Sequence, residues 1–392
     1  MSALARNAQS DKIYFDIVIT NLQTVTAPPP TLYFNENRSV PFLHNPEDYY
    51  MSIIRFTLDT PTLPIFIPEI QPNQSNINLT VYSITLSWLD TGTGTTYVQQ
   101  EYVNYIPQDK SATIPLAPNQ LPNGLQNNAT GYYSIYTFQY WIYLINLTFT
   151  TCFNNLNTQV VAGGAVLPTT NAPVMTFDNN NQVAILNCDV LGYNYTSANY
   201  IQIFMNPALF QLFSSFPFTV NSLNANINNE NVLIQTNTFG GANEIPFPPI
   251  NPTYTAIQVI QEYSTIALWS PITSVVFTSN TLPVVPTNIT SPQIFVNGLI
   301  YNNANGNNSN VSQIITDFVS DTGFYKPNIV YNPTAQYRLI ELQGNRPLSN
   351  LDISVYWKDR IGALQPFLLG SGTTATIKIL FTKKGTDGTT KP

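Results

Sequence analysis

The sequence predicts a mainly β protein: a single jelly-roll β-sandwich interrupted by a mixed α+β insertion. Three observations carry this reading. Period-two strand patterns crowd both ends of the chain, the middle switches to a helical period, and the first strand matches the last as a partner in one sheet. In Lys12–Asn21, Ile13, Phe15, Ile17 and Ile19 share one face while Tyr14, Asp16 and Thr20 hold most of the other. In Leu351–Trp357, Ile353, Val355 and Trp357 alternate with Asp352, Ser354 and Tyr356. In Ala375–Thr382, Ile377, Ile379 and Phe381 alternate with Thr376, Lys378 and Thr382. Pairing first strand with last hides edges that would otherwise template aggregation.

The elements between them follow in order. Leu22–Pro30 is a connection ending in three prolines, which exclude helix and central strand there. Tyr49–Thr57 is a strand, and Leu63–Ile67, set among Pro61, Pro64 and Pro68, reads as an edge or subunit-facing segment. Asn78–Trp88 places Tyr82, Ile84, Leu86 and Trp88 on one face, with Ser83, Thr85 and Ser87 opposite. Thr91-Gly92-Thr93-Gly94 reads as a hairpin tip, because no Gly-Lys-Ser/Thr follows to make a phosphate loop, and Tyr97–Tyr105 returns.

Past Ala117 the period lengthens. Phe138, Trp141, Ile142, Ile145, Phe149, Cys152, Phe153 and Leu156 fall mostly three or four apart, so Thr137–Gln159 reads as an amphipathic helix that Gly163-Gly164 ends. Val174–Phe177 and Val183–Asn187 flank Asp178-Asn179-Asn180-Asn181 as a hairpin, which lacks the further acids of a calcium loop. Ile201–Met205 is a strand, after which Asn206-Pro207 caps a short helix turning Leu209, Leu212, Phe213 and Phe216 inward. Strands resume at Ala256–Tyr263 and Ser274–Ser279, the Asn-rich run Asn302–Asn310 reads as an exposed loop, and Tyr337–Leu342 is a further strand. The expected organisation is residues 1–107 and 254–392 for the jelly roll, with 108–253 inserted.

Composition narrows the function. Only 9% of the 392 residues are charged, and Asn alone makes up roughly one in eight, so solubility rests on amides and hydroxyls. Uncharged polar surfaces suit close packing of many copies, since few ions need desolvating; a compositional bias toward Asn gives the same pattern. A net charge of -7 and a sequence pI near 4.6 argue against a nucleic-acid binder. Met1–Ser10 has no apolar core for a signal peptide and no run reaches spanning length, which predicts a soluble, cytosolically made protein. Cys152 and Cys188 then read as buried free thiols.

Catalytic chemistry has little to work with. His44 is the one histidine, so a multi-histidine metal centre is impossible, and an imidazole triad would hang on a loop residue beside Asn45-Pro46. Asp16, Asp59, Asp178, Glu262, Asp317, Asp352 and Asp359 could in principle supply paired carboxylates, yet each also reads as a strand-edge or turn acid. The 23 Tyr and 22 Phe allow a sugar-stacking surface only if they cluster on exposed loops, and most fall at buried-type positions. No enzyme, cofactor or metal site is expected.

Several runs carry a resemblance. NPEDYYMSIIRFTLDT (Asn45–Thr60) with Leu63–Ile67, QEYSTIALW (Gln261–Trp269) with SVVFTSNTLPV (Ser274–Val284), MNPALFQLFSSFP (Met205–Pro217), and the stretch Tyr337–Lys384 are together similar to the penton, or minor capsid, proteins of virophages and Polinton-like viruses. The resemblance implies a single jelly roll, five copies of which plug each icosahedral vertex, with the inserted domain projecting outward. It implies as partners a homopentamer and the major capsid protein, a host receptor through the insertion, and a location at the capsid vertex of the virion after synthesis in the host cytoplasm. Another jelly-roll capsid protein, minor or major, and a carbohydrate-binding attachment module are the alternatives. Core residues are expected at Phe15, Ile17, Ile84, Trp88, Val355, Trp357, Ile379 and Phe381, and interface residues at Leu63, Ile65, Phe66 and Ile67 and, in an N-terminal arm, Arg6.

Overall fold

The computed structural model describes residues 11–24, 28–121, 126–220, 232–238, 241–247, 254–285, 293–296, 299–302, 313–319, 328–332 and 338–385. The chain divides into two compact units: a terminal unit of Met1–Leu63 with Pro271–Pro392, and an inserted unit, Pro64–Ser270. The terminal unit begins with β1 (Lys12–Thr20), β2 (Tyr33–Asn37) and β3 (Tyr49–Asp59). The inserted unit follows with β4 (Leu79–Asp90), β5 (Thr95–Asn104), α1 (Phe138–Ala162), β6 (Val174–Asp178), β7 (Val183–Asp189) and α2 (Val190–Tyr193). It closes with β8 (Gln202–Met205), α3 (Pro207–Leu212), β9 (Phe218–Val220), β10 (Val232–Ile234), β11 (Glu244–Phe247) and β12 (Tyr254–Ile260). The terminal unit resumes with β13 (Ile272–Ser279), β14 (Gln293–Val296), β15 (Leu299–Asn302), β16 (Gln313–Phe318) and β17 (Asn328–Tyr331). It ends with β18 (Ile340–Glu341), β19 (Asn350–Asp359), β20 (Leu364–Pro366) and β21 (Thr374–Lys383).

Two five-stranded antiparallel sheets, ordered β1-β21-β3-β17 and β16-β13-β19-β2 with β18 added to β3 and β20 to β19, and a separate β14-β15 pair make up the terminal unit. Leaving aside the short β14, β15, β18 and β20, chain order runs first-eighth-third-sixth across one sheet and second-seventh-fourth-fifth across the other. That order is a jelly roll. The expected mating of the two termini is present, with Phe15 opposite Ile379 and Ile17 opposite Ile377. Inside the sandwich, Phe15 meets Phe42 at 5.0 Å and Phe381 at 5.8 Å, edge-on, and Phe56 of one sheet meets Phe277 of the other at 5.0 Å. Phe15, Ile17, Val355, Trp357, Ile379 and Phe381 are all buried here.

The insertion sits between β3 and β13, where the chain passes from one sheet to the other. Its limits differ from the expected 108 and 253, because β4 and β5 pair with each other and β4 pairs with β8, while β12 pairs with β7. Ile84 and Trp88 are therefore buried, but in the inserted unit rather than in the jelly roll. A period-two pattern reports one dry face and cannot say which sheet that face joins. β4 is also drier than its pattern suggests: as the strand between β5 and β8 it buries Ser83, Thr85 and Ser87 as well.

The helical period is realised as α1, which buries Trp141, Ile142, Ile145, Phe149, Cys152, Phe153 and Leu156. The threonines of this helix turn their hydroxyls back onto it: Thr148, Thr150, Thr151 and Thr158 donate to the carbonyls of Leu144, Asn146, Leu147 and Asn154. Trp269 centres a second aromatic cluster with Phe66, Phe138, Phe177 and Phe213, and its Nε1 donates to the Leu212 carbonyl at 2.9 Å. At α3 the Asn206 side chain caps the helix by accepting from the Leu209 N–H. Of the strand expected over Tyr337–Leu342, Tyr337 lies outside the described residues and β18 spans only Ile340–Glu341.

Candidate assembly surface

The side chains that could do chemistry are dispersed. Asp16 faces Arg55 at 3.7 Å and Asp317 faces Arg338 at 3.3 Å, both in the open, and Asp59 accepts from the Thr374 N–H at 2.8 Å. Asp178 closes the β6–β7 turn by accepting from Asn181 Nδ2 at 2.6 Å and Asn180 N–H at 2.8 Å, and these bonds hold its carboxyl below the usual range. Glu262 and His44 are exposed. Among the described residues, no three His, Cys, Asp or Glu side chains group to hold a metal ion. Cys152 and Cys188 are buried free thiols, with burial pushing Cys152 up to about 12 and Cys188 further still.

Two buried acids act as struts at the two ends of β19. Asp352, 2% exposed, accepts from the Ser279 hydroxyl, from Asn280 N–H at 3.0 Å, and from Thr281 through its N–H at 3.0 Å and its hydroxyl at 2.6 Å. Burial works to raise its pKa, but the bonds from Ser279, Thr281 and Asn280 together outweigh it and leave the carboxyl below the usual range. Asp359 accepts from Ile361 N–H at 3.0 Å and Ala363 N–H at 2.8 Å, closing the β19–β20 turn. There burial wins, and the carboxyl sits above the usual range.

The expected interface segment does not face outward. Leu63, Ile65 and Phe66 are buried and Ile67 is half-buried; in place of a strand, Phe66 makes a single antiparallel bridge to Ile135 and packs with its ring tilted against Trp141 at 4.8 Å. Its flanking prolines mark a segment the inserted unit packs around rather than an edge. Arg6 and the rest of Met1–Ser10 lie outside the described residues, as does most of the Asn302–Asn310 run.

What the terminal unit does present is the outer face of the β1-β21-β3-β17 sheet. Register places Val18, Thr376, Thr57 and Val330 directly opposite one another across all four strands. Val18 is 64% exposed and Val330 59%, with the two threonines half-buried between them. Side chains opposite each other share a face, so these four form a row about 14 Å long at the usual spacing between strands. The next row is charged: Asp16, Lys378 and Arg55. Lys378 also lies 5.8 Å above the Tyr14 ring. Sequence reading missed this row, because its members are 18, 57, 330 and 376 in a chain whose register only the fold supplies.

A family model, described as the Sputnik minor capsid protein V18/19, matches residues 13–383. The chain belongs to this minor capsid protein family. Among curated proteins it is 33% identical over 156 residues to the uncharacterized protein V18 of Sputnik virophage, covering 39% of this chain and 89% of V18. It is 28% identical over 213 residues to the structural protein V19 of the same virophage, covering 53% of this chain and 93% of V19. Among solved structures, a chain of the Sputnik virophage determined by cryo-EM matches with a TM-score of 0.80 and 27% identity over 96% of this chain and 98% of that one. The mavirus penton protein shares the fold, with a TM-score of 0.61 at 16% identity over 95% of this chain and 99% of that one. As a V18/19 family member the chain is a virion structural protein that assembles with other capsid components. Its jelly roll is the part of the architecture that capsid proteins are built on.

Proposed function

We propose that this chain is the penton of an icosahedral capsid, five copies of which close each fivefold vertex among surrounding major capsid proteins. The observation that carries the reading is the family match across residues 13–383 on a single, complete jelly roll. The shared fold of the mavirus penton supports it. The role is structural and not catalytic: specificity comes from shape and from apolar and hydroxyl contacts, and a ring of five requires two different patches per subunit that meet head to tail. The inserted unit, held between the third and fourth strands of the jelly roll, is the part available to meet a host receptor. Co-expression with the major capsid protein, followed by cryo-EM of the assembled particles, tests the reading. It predicts density for this chain at the fivefold positions, and finding it in the trimeric capsomers or nowhere in the shell contradicts it.

A further inference from the structure

We propose that each copy of this chain joins the next by strand pairing: the open edge of β1 on one copy takes the open edge of β17 on its neighbour, so that the β1-β21-β3-β17 sheet continues across the joint. The proposal rests on the pentameric reading above and supplies the joint between its subunits.

Backbone groups define the first half of that joint. β1 ends its sheet, with β21 on one side and, among the described residues, no strand on the other. At its two ends Lys383 N–H donates to the Asp11 carbonyl and Asn21 N–H to the Thr373 carbonyl, which turns the odd-numbered residues toward β21. The N–H and C=O groups of Tyr14, Asp16, Val18 and Thr20 therefore point off the edge, and all four residues are exposed. Proteins shield such an edge with proline, a bulge, an inward-pointing charge or a short strand. β1 uses none of these: it is nine residues long, has no proline, keeps unbroken register with β21, and turns Ile13, Phe15, Ile17 and Ile19 to the inner face. The other sheet of the jelly roll does manage its edges. There β2 has five residues, and β16 is bulged against β13 and holds Arg338 on its Asp317 carbonyl. An open row of backbone donors and acceptors is satisfied by one kind of occupant, an extended strand from outside.

The strand that fits is carried by the chain itself. Every pairing from β1 through β21 and β3 to β17 is antiparallel, so the two edges of this sheet run in opposite directions. The β17 of a neighbour whose sheet faces the same way arrives antiparallel to β1, the more stable arrangement. β17 likewise has no strand on its far side among the described residues. With the rows of the two sheets in line, Val18 meets the neighbour's Val330, Thr20 meets its Asn328, and Asp16 meets its Asn332. Apolar thus faces apolar, and the carboxylate faces an amide instead of a like charge. The pairing also covers the two valines that stand 64% and 59% exposed at opposite ends of one row. β1 set against β1 joins two copies about a twofold axis and stops at a pair. β1 set against β17 uses a different edge on each side of the joint, as a closed ring demands.

Sedimentation velocity of the full chain, with circular dichroism to check folding, tests the joint. Val18→Pro removes an outward N–H and no bond to β21, so the fold should hold while the dissociation constant of the ring rises about 100-fold or more. Should that variant fail to fold, a charge exchange decides. Val18→Lys and Val330→Glu should each weaken the ring about tenfold or more, and together should restore it to within about threefold of wild type, because lysine then faces glutamate across the joint. Tyr33→Lys, on an edge strand of the other sheet, should leave the ring within about threefold of wild type. A ring indifferent to Val18→Pro or Val18→Lys, a double exchange no better than either single, or equal weakening by Tyr33→Lys overturns the pairing. A wild-type dimer that Val18→Pro abolishes sets β1 against β1 and overturns it as well. A wild-type chain that forms no ring at any concentration or salt overturns the pentameric reading, and the joint with it.

Discussion

Asp352 and Asp359 sit at opposite ends of β19, both buried, and their conversion to asparagine should act in opposite directions at neutral pH. Both Asp352 oxygens accept: Oδ1 from Ser279 and Thr281, Oδ2 from Asn280. An asparagine keeps one acceptor and turns an N–H2 toward at least one donor already there. Hydrogen bonds to a charged group contribute about 1.5–3 kcal/mol each, so Asp352→Asn should cost about 2–3 kcal/mol. In a unit of this size that lowers the melting temperature by roughly 5–10 °C. Asp359 uses Oδ1 to accept from Ile361 and Ala363, an atom asparagine retains, while Oδ2 takes the longer contact from Gln365 at 3.5 Å. Removing its buried charge should leave stability at pH 7 unchanged or raise it by up to about 1 kcal/mol. The pH dependence follows the same signs. The depressed Asp352 carboxyl contributes stability that is present above the unfolded carboxylate value, near about 4, and is lost as pH falls through its lower folded value. The raised Asp359 carboxyl does the reverse, contributing below the unfolded value and losing that contribution as pH rises through the folded one. Calorimetry between pH 3 and 8, with hydrogen exchange at Asn280 and Thr281, reads both effects. Equal shifts for the two variants at pH 7, or full protection of Asn280 and Thr281 in Asp352→Asn, would contradict these two roles.

Other outcomes follow from the packing. A Cβ added at Gly192 meets the Cγ2 of Thr169 and, at 2.8 Å, its Cβ, so Gly192→Ala should destabilise the inserted unit by about 1–3 kcal/mol. Gly163→Ala meets chiefly the far end of the Tyr97 side chain, which can swing away, and urea melts should show a smaller loss. Phe381→Ala opens a hole beside Phe15 and Phe42, and should cost the terminal unit about 3–5 kcal/mol in the same melts. Both thiols should resist a thiol-specific reagent in native buffer and react fully in denaturant, because burial removes access as well as the thiolate; fast labelling of either without denaturant counts against the described core.

Much of this fold was legible because strands near the two ends carry unbroken alternation. Lys12–Asn21, Leu351–Trp357 and Ala375–Thr382 could be paired as first with last, and the helical period of Phe138, Trp141, Ile145 and Phe149 set the helix apart. The boundary of the insertion was not legible, because Tyr82, Ile84, Leu86 and Trp88 alternate in the same way whether their sheet is the jelly roll's or another. Leu63–Ile67 misled for a related reason: prolines around apolar residues mark an irregular segment, and only packing against Trp141 shows that it is buried. Asp352 looked like the polar face of a strand, since nothing local announces that Ser279 and Thr281 will reach it from a strand about seventy residues away. The Val18–Thr376–Thr57–Val330 row needed the register of four strands at once.

Native mass spectrometry of the purified full chain, at low and moderate salt, tests the ring of five. The expected result is a discrete species at five times the 43.7 kDa chain mass. A stable dimer or trimer as the terminal assembly would contradict it.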